Sequence, residues 1–387
     1  MARVTYRGAD VRVVLCAEGP VEPTAAIEAY LEQRPPSPKD PLHLMFGMRR
    51  TPPPLPAELP SGLTVGTFLP GRGLRSVPDL EYDRSSYQEI CDTLLTGKFA
   101  PDVVIACATS ADDSGTRSLG AIDGYLGLAM RSASVVVEEV DWLPRIPGAA
   151  LVPTADMVVA SRAHPSDEQP HFSAPYDDLD LAIARKVVDL IPPSPQLALG
   201  IGRVPEAIGH LLRDRGDIAI MTGVITDTVR RLHEDGALTT GPAHGMSVVG
   251  GSPLLEWASR SHHVELHSST IIHDPRKLRD LRRFVAVLGA VTVDQYGNVN
   301  SERTARGWTS GLGGAPDFAA GGHTSPGGLS IIALPSEDGR GNSRLVDHLE
   351  EPTIGSELVD VVVTEKGVAH LTGLPPRDRG RELTRVF

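Results

Sequence analysis

Leu197-Ala198-Leu199-Gly200-Ile201-Gly202-Arg203-Val204-Pro205-Glu206-Ala207-Ile208 compresses a strand, a glycine turn and the start of a helix into one short stretch. Leu197–Leu199 is apolar on both faces, the pattern of a strand covered on two sides. Pro205–Arg213 reads as a helix with proline in its first turn and a stripe of Ala207, Ile208, Leu211 and Leu212. Glycine at 200 and 202 lets the backbone pass close to a ligand, and N–H groups at a helix start attract an anion or an oxyanion. The same residues also suit a tight turn that binds nothing. A dinucleotide fingerprint needs a third glycine at position 205, where Pro205 stands, so the Rossmann reading fails.

Outward from this unit, short β-branched apolar runs recur. They are Val11–Leu15, Val103–Ala106, Val135–Val137, Val158–Ala160, Ile218–Met221, Val285–Leu288, Ile331–Leu334 and Val359–Val363. Helical periodicity separates several of them, as in Asp180–Ile191, where Ile183, Val187, Leu190 and Ile191 share a stripe. Such alternation implies an α/β protein with mostly parallel sheets. The polar stretch Ser161–Tyr176, with three prolines, is the expected domain boundary, and Pro35–Pro60 reads as loops around the strand Leu42–Phe46. A second glycine run, Gly311 to Gly328, holds seven glycines in 18 residues, more than a turn needs. It suits a long surface loop or a mobile lid as well as a ligand cradle. No G-K-[ST] follows any glycine loop, which excludes a Walker A site.

The 387 residues exceed one ordinary core, and 41% hydrophobic with 22% charged residues is normal for a globular protein. A net charge of −12 argues against nucleic acid and anionic membrane as partners. Cys16, Cys91 and Cys107 are odd in number and far apart, with no metal spacing, which fits a reduced cytoplasmic setting. No apolar run is long enough to span a bilayer, and charges interrupt the N-terminal one. Histidines 262, 263, 267 and 273 fit no recognised ligand set. A strand would place His263, Glu265 and His267 on one face, and a solvated face without metal is the expectation. The adjacent pairs Asp112-Asp113 and Glu138-Glu139 point to opposite faces of extended chain, which disfavours paired-carboxylate chemistry.

Seven motifs then occur in one order: LALGIG, GPAHG with GSPLLEW, HDP (His273–Pro275), VDQYGNVNSE (Val293–Glu302), GLGGAPDF, SPGGLSIIALPS (Ser325–Ser336) and VTEKGVAHLTG (Val363–Gly373). Weaker matches are SLG (Ser118–Gly120) and EEVDWLPRIPG (Glu138–Gly148). This series resembles the acetyl-CoA hydrolase/transferase family, including the 4-hydroxybutyrate and butyrate CoA-transferases. The resemblance implies two similar α/β domains, CoA-transferase-like over 1–165 and acetyl-CoA hydrolase/transferase-like over 177–387, with an acyl-CoA or related pantetheine thioester bound at their cleft. It implies an oxyanion hole at the amides of Ile201 and Gly314, and ligand contacts at Gly200, Gly202, Thr222, Gly223, Gly311 and Gly313. A further family glutamate matches Glu365.

The family's nucleophilic glutamate sits in a motif resembling T-E-M-F-S-D, which here reads Thr222-Gly223-Val224-Ile225-Thr226-Asp227. Glycine can form neither anhydride nor thioester. Thr292 replaces another family glutamate, and Leu329 stands where relatives often carry a lysine. Oxyanion donors and binding alone can leave roughly 10³–10⁴-fold over water, about 4–5.5 kcal/mol. The expectation is therefore an enzyme of CoA-thioester hydrolysis or acyl transfer that works without a glutamyl-CoA intermediate, with Glu365 as general base, no metal and no covalently bound cofactor. Two alternatives stay open: a non-catalytic CoA-thioester binder, and an ordinary CoA-transferase whose glutamate is elsewhere, with Glu302 and Glu138 as candidates. A homo-oligomer is compatible with either.

Overall fold

The computed structural model describes residues 11–152, 154–163, 175–239, 241–260 and 262–387. The core of the boundary stretch, 164–174, lies outside the described residues. On its N-terminal side, seven strands form an all-parallel sheet in the spatial order 81–82, 63–67, 42–46, 12–16, 103–108, 134–139, 157–160. On its C-terminal side, eight strands run in the order 264–266, 243–248, 219–225, 196–199, 284–289, 329–333, 361–363, 368–370. The second sheet is parallel except for its last pair, Val361–Val363 with Val368–His370. Every apolar run read as a strand falls within or overlaps one of these. Leu42–Phe46 and Val103–Ala108 are buried along their whole lengths, which two-sided burial requires.

Local chemistry sets the helix starts. Asp177 caps Asp178–Leu190 by accepting from the N–H groups of Leu179 and Asp180, while Asp180 reaches back to the Asp177 N–H. Arg203, the first residue of the helix Arg203–Leu212, bonds both aspartates and so ties the two helix starts together. That helix begins two residues before Pro205, which lies inside the first turn where its missing N–H costs nothing.

Two apolar clusters span both halves, and Ala121, Val140 and Leu143 meet Leu197, Ile225 and Leu266 in one of them. The other joins Leu15, Phe68, Tyr87 and Tyr125 to Met246, Ile272, Phe284 and Phe318. Three backbone bridges cross the seam: Ser86 with Gly313, Ile122 with Ser247, and Gly124 with Ser268. Buried Glu302 accepts from Tyr82, Arg84 and Thr353, so two of its three partners come from the other half. No helix among the described residues is long and apolar enough to cross a membrane.

Candidate active site

The first glycine turn closes the C-terminal end of the strand Gln196–Leu199. In register, Gln196 pairs with Ala219 on one side and with Phe284 on the other, so Gly200 comes level with Gly223 of the strand Ala219–Ile225. Thr222 is buried and donates its hydroxyl to Leu199 C=O at 3.0 Å, which locks these neighbours in step. Gly200 donates its N–H to Val287 C=O at 3.0 Å. Gly202, at φ 120°, occupies backbone space that a side chain would strain. Ile201 between them is 48% exposed, and its N–H donates to no acceptor among the described residues.

The second glycine run is neither a loose loop nor a lid. It forms a turn followed by the helix Ala315–Thr324, with Gly314 at its N-cap. A Cβ on Gly311 would lie 2.3 Å from Phe68 C=O, and one on Gly322 would lie 2.5 Å from Leu329 C=O. Glycine is needed there for close packing, not for motion. Gly313, at φ 52°, accepts the Tyr87 N–H at 3.0 Å, which pins the turn to the other half. The Gly314 N–H has no acceptor among the described residues, so both amides named from the sequence remain available to a ligand.

Between these turns stands a residue whose role the sequence did not suggest. A Cβ on Gly223 would lie 3.5 Å from His273 Cε1 and from Phe318 Cε2, and 3.6 Å from His273 Nε2. A Cβ on Gly314 would lie 2.1 Å from the same Cε1. One imidazole edge therefore borders both the position without a nucleophile and the second amide. His273 is fully buried between Tyr87 and Phe318, with ring centroids 4.8 Å away on each side. Neither of its ring nitrogens has a hydrogen-bond partner among the described residues, and burial pushes its pKa down to about 3. Such a ring is neutral at pH 7.

One buried acid lies beside this ring, and a second bonds Tyr87, which packs on it. Asp317 Oδ2 is 3.8 Å from His273 Nδ1, and the carboxylate accepts from Ser86 Oγ and Gln88 N–H. Burial raises Asp317 to about 7 despite those bonds. Glu18 is likewise raised to about 7 by burial, against bonds from the Met48 N–H and the Tyr87 hydroxyl. A buried carboxyl raised toward 7 beside a buried imidazole is a mark of acid–base chemistry. The sequence signals were slight: His273 sits in HDP and Asp317 in GLGGAPDF, while Glu18 is only the carboxylate after a buried strand.

The other carboxylates separate by position. Glu365 accepts from the Ser336 N–H at 2.9 Å and from the Ser336 hydroxyl. Part burial opposes its ionisation, but these donors outweigh it and hold the pKa below the ordinary value. It follows the strand Val361–Val363, which two other strands separate from Gln196–Leu199. Three inter-strand spacings amount to about 14 Å along the sheet. The strand order thus does not set Glu365 beside Gly223, and the role of general base read from the sequence has no geometric support. Glu302 has both oxygens engaged in the seam. Glu138, on the other sheet, holds the Ala26 N–H and the Ser161 hydroxyl. Thr292 accepts from Asn300, and Leu329 opens its strand at the end opposite Gly200.

The histidine stretch divides as well. His263 lies just before the strand Val264–Leu266 and stacks on Trp257, with centroids 5.3 Å apart. His244, from the neighbouring strand, joins Glu265 and His267 instead. The three cysteines are buried thiols.

Comparison with known proteins agrees with this architecture. Residues 250–386 match the acetyl-CoA hydrolase/transferase C-terminal domain. The 4-hydroxybutyrate coenzyme A transferase of Clostridium kluyveri is 29% identical over 320 residues, covering 79% of this chain and 74% of that protein. An acetyl-CoA hydrolase of Kluyveromyces lactis is 30% identical over 200 residues, 49% of this chain and 37% of that one. The crystal structure of RipA from Yersinia pestis superposes with a TM-score of 0.83 over 99% of this chain and 92% of that one, at 23% identity, and shares the fold.

Proposed function

We propose that this chain, whose residues 250–386 match an acetyl-CoA hydrolase/transferase C-terminal domain, acts on an acyl-CoA thioester by hydrolysis or acyl transfer without a glutamyl-CoA intermediate. The observation that carries the reading is at position 223: there is no side chain to attack, and the group facing the space is the imidazole of His273.

In this reading the thioester oxygen is held by the Ile201 and Gly314 amides, and the acyl chain fills the room in front of Gly223. Water, or an acceptor hydroxyl or thiol, attacks the carbonyl carbon and gives its proton to His273 Nε2. The C–S bond breaks, and that proton leaves with the CoA sulfur. An imidazole at about 3 is a weak base, so the step needs help. Asp317 supplies it: ionised, and with a small approach from 3.8 Å, it stabilises the imidazolium. Each oxyanion donor contributes roughly 10²–10³-fold. Glu365, anchored to Ser336, takes no part in this step.

The test is incubation with a panel of acyl-CoA esters, following free thiol, with intact mass and hydroxylamine trapping in parallel. Turnover with no adduct supports the reading. A covalent CoA adduct on any glutamate overturns it, and CoA binding without turnover of any ester leaves only a binding protein.

A further inference from the structure

The edge of the second sheet carries a ligand set outside the site just described. The strands Ala243–Val248 and Val264–Leu266 are parallel, and their register sets His244 opposite Glu265. His267, two residues beyond Glu265, lies on the same face of the chain. The His267 N–H donates to Gly245 C=O at 2.8 Å, which extends the pairing and fixes its place. His244 Nδ1 is 2.9 Å from His267 Nε2 and 3.9 Å from Glu265 Oε2. One ligand atom from each of the three residues falls within 4.8 Å of the other two.

From this geometry we infer that His244, Glu265 and His267 form a binding site for a divalent transition-metal ion of the zinc class. Zinc holds imidazole nitrogen at about 2.0–2.1 Å and carboxylate oxygen at about 2.0–2.2 Å, so tetrahedral ligands lie about 3.3 Å apart. The two observed separations fall about half an ångström on either side of that spacing. Both histidines are half-buried and held by paired strands, so the imidazoles have little freedom to lose on binding. Glu265 is half-exposed and can swing in by side-chain rotation. Two imidazoles and one carboxylate suit zinc, cobalt or nickel over magnesium or calcium, and leave one position for water.

Proton balance raises no obstacle. Today one imidazole donates to the other. On metal binding, the proton on that nitrogen moves to the second nitrogen of its own ring, and both rings stay neutral. The site also has a structural consequence. Leu266 donates its N–H to Pro147 C=O at 2.8 Å, and Ser268 pairs with Gly124, so this edge is where the first half docks. A metal here ties the outermost strand to its neighbour at the seam.

The experiment uses the full-length protein after treatment with a chelator. Cobalt(II) titration should give the d–d absorption of a tetrahedral centre at a 1:1 ratio, displaced by zinc, with a rise in thermal midpoint. His244→Gln and His267→Gln should each weaken binding at least tenfold, while His263→Gln should leave it unchanged. Because a variant could misfold, zinc-soaked wild-type crystals give a second readout: an anomalous peak against these three side chains. No saturable 1:1 binding, an anomalous peak elsewhere, or unchanged binding in both folded ligand variants overturns the inference.

Discussion

Replacing Gly314 by alanine tests the arrangement of the candidate site with a single methyl group. At φ −98° an alanine is unstrained, so any effect comes from the new contacts. That methyl would lie 2.1 Å from His273 Cε1 and 2.4 Å from Nδ1, far inside contact distance. The imidazole has nowhere to go, because it is fully buried against Tyr87 and Phe318. Overpacking of this kind costs about 1–3 kcal/mol, and relieving it displaces the helix start that carries the Gly314 amide. Loss of one oxyanion donor lowers kcat by about 10²–10³-fold, or 2.7–4 kcal/mol. Gly223→Ala is the matched control. Its methyl would meet His273 and Phe318 at 3.5 Å, ordinary contact, so stability should hold or rise slightly. The assay pairs thermal unfolding with thioester turnover on both variants. A Gly314→Ala protein as stable and as active as wild type would refute both the placement of His273 and the role of the amide.

Other consequences are open to measurement. Gly223→Glu should introduce the missing nucleophile, so a CoA adduct absent from wild type should appear by intact mass after acyl-CoA treatment. Glu302→Ala should destabilise by about 1.5–3 kcal/mol, because Tyr82 and Thr353 lose a buried charged acceptor, while per-molecule thioester turnover persists; chemical denaturation checks the first and a turnover assay normalised to folded protein the second. The acids Glu18 and Asp317, each raised to about 7, bind more protons folded than unfolded. Their contribution to stability is full below the unfolded carboxylate pKa and is lost as pH rises through about 7. Asp317→Asn should therefore gain in thermal midpoint over wild type between pH 5 and pH 8 by a scan in matched buffers, while in turnover it loses the rise in activity through about pH 7.

Much of the fold was legible because parallel strands buried on both faces have little choice of residue. Val103–Ala108 announces itself as an unbroken apolar run, and Leu42–Phe46 is interrupted only by His43. The glycine run from Gly311 misled for a physical reason. Glycine composition is the same whether it permits motion or permits contact, and only the 2.3 Å and 2.5 Å approaches of other backbone show that contact is its use.

Motif order named the Ile201 and Gly314 amides, and neither donates to an acceptor among the described residues. Sequence spacing could not show that His273, 50 positions along the chain from Gly223, turns its ring edge to that position. Nor could it show that two strands stand between Glu365 and the first glycine turn.

The amino-acid sequence by itself determined the α/β class, the parallel strands and the absence of a nucleophilic side chain at 223, because each is a property of consecutive residues. Tertiary structure alone decided which groups share a space: His273 with both glycines, Asp317 behind it, and His244 with Glu265 and His267. Those pairings depend on strand order and burial, and residues distant in sequence gain their chemistry from whichever neighbours the packed sheet brings within a few ångströms.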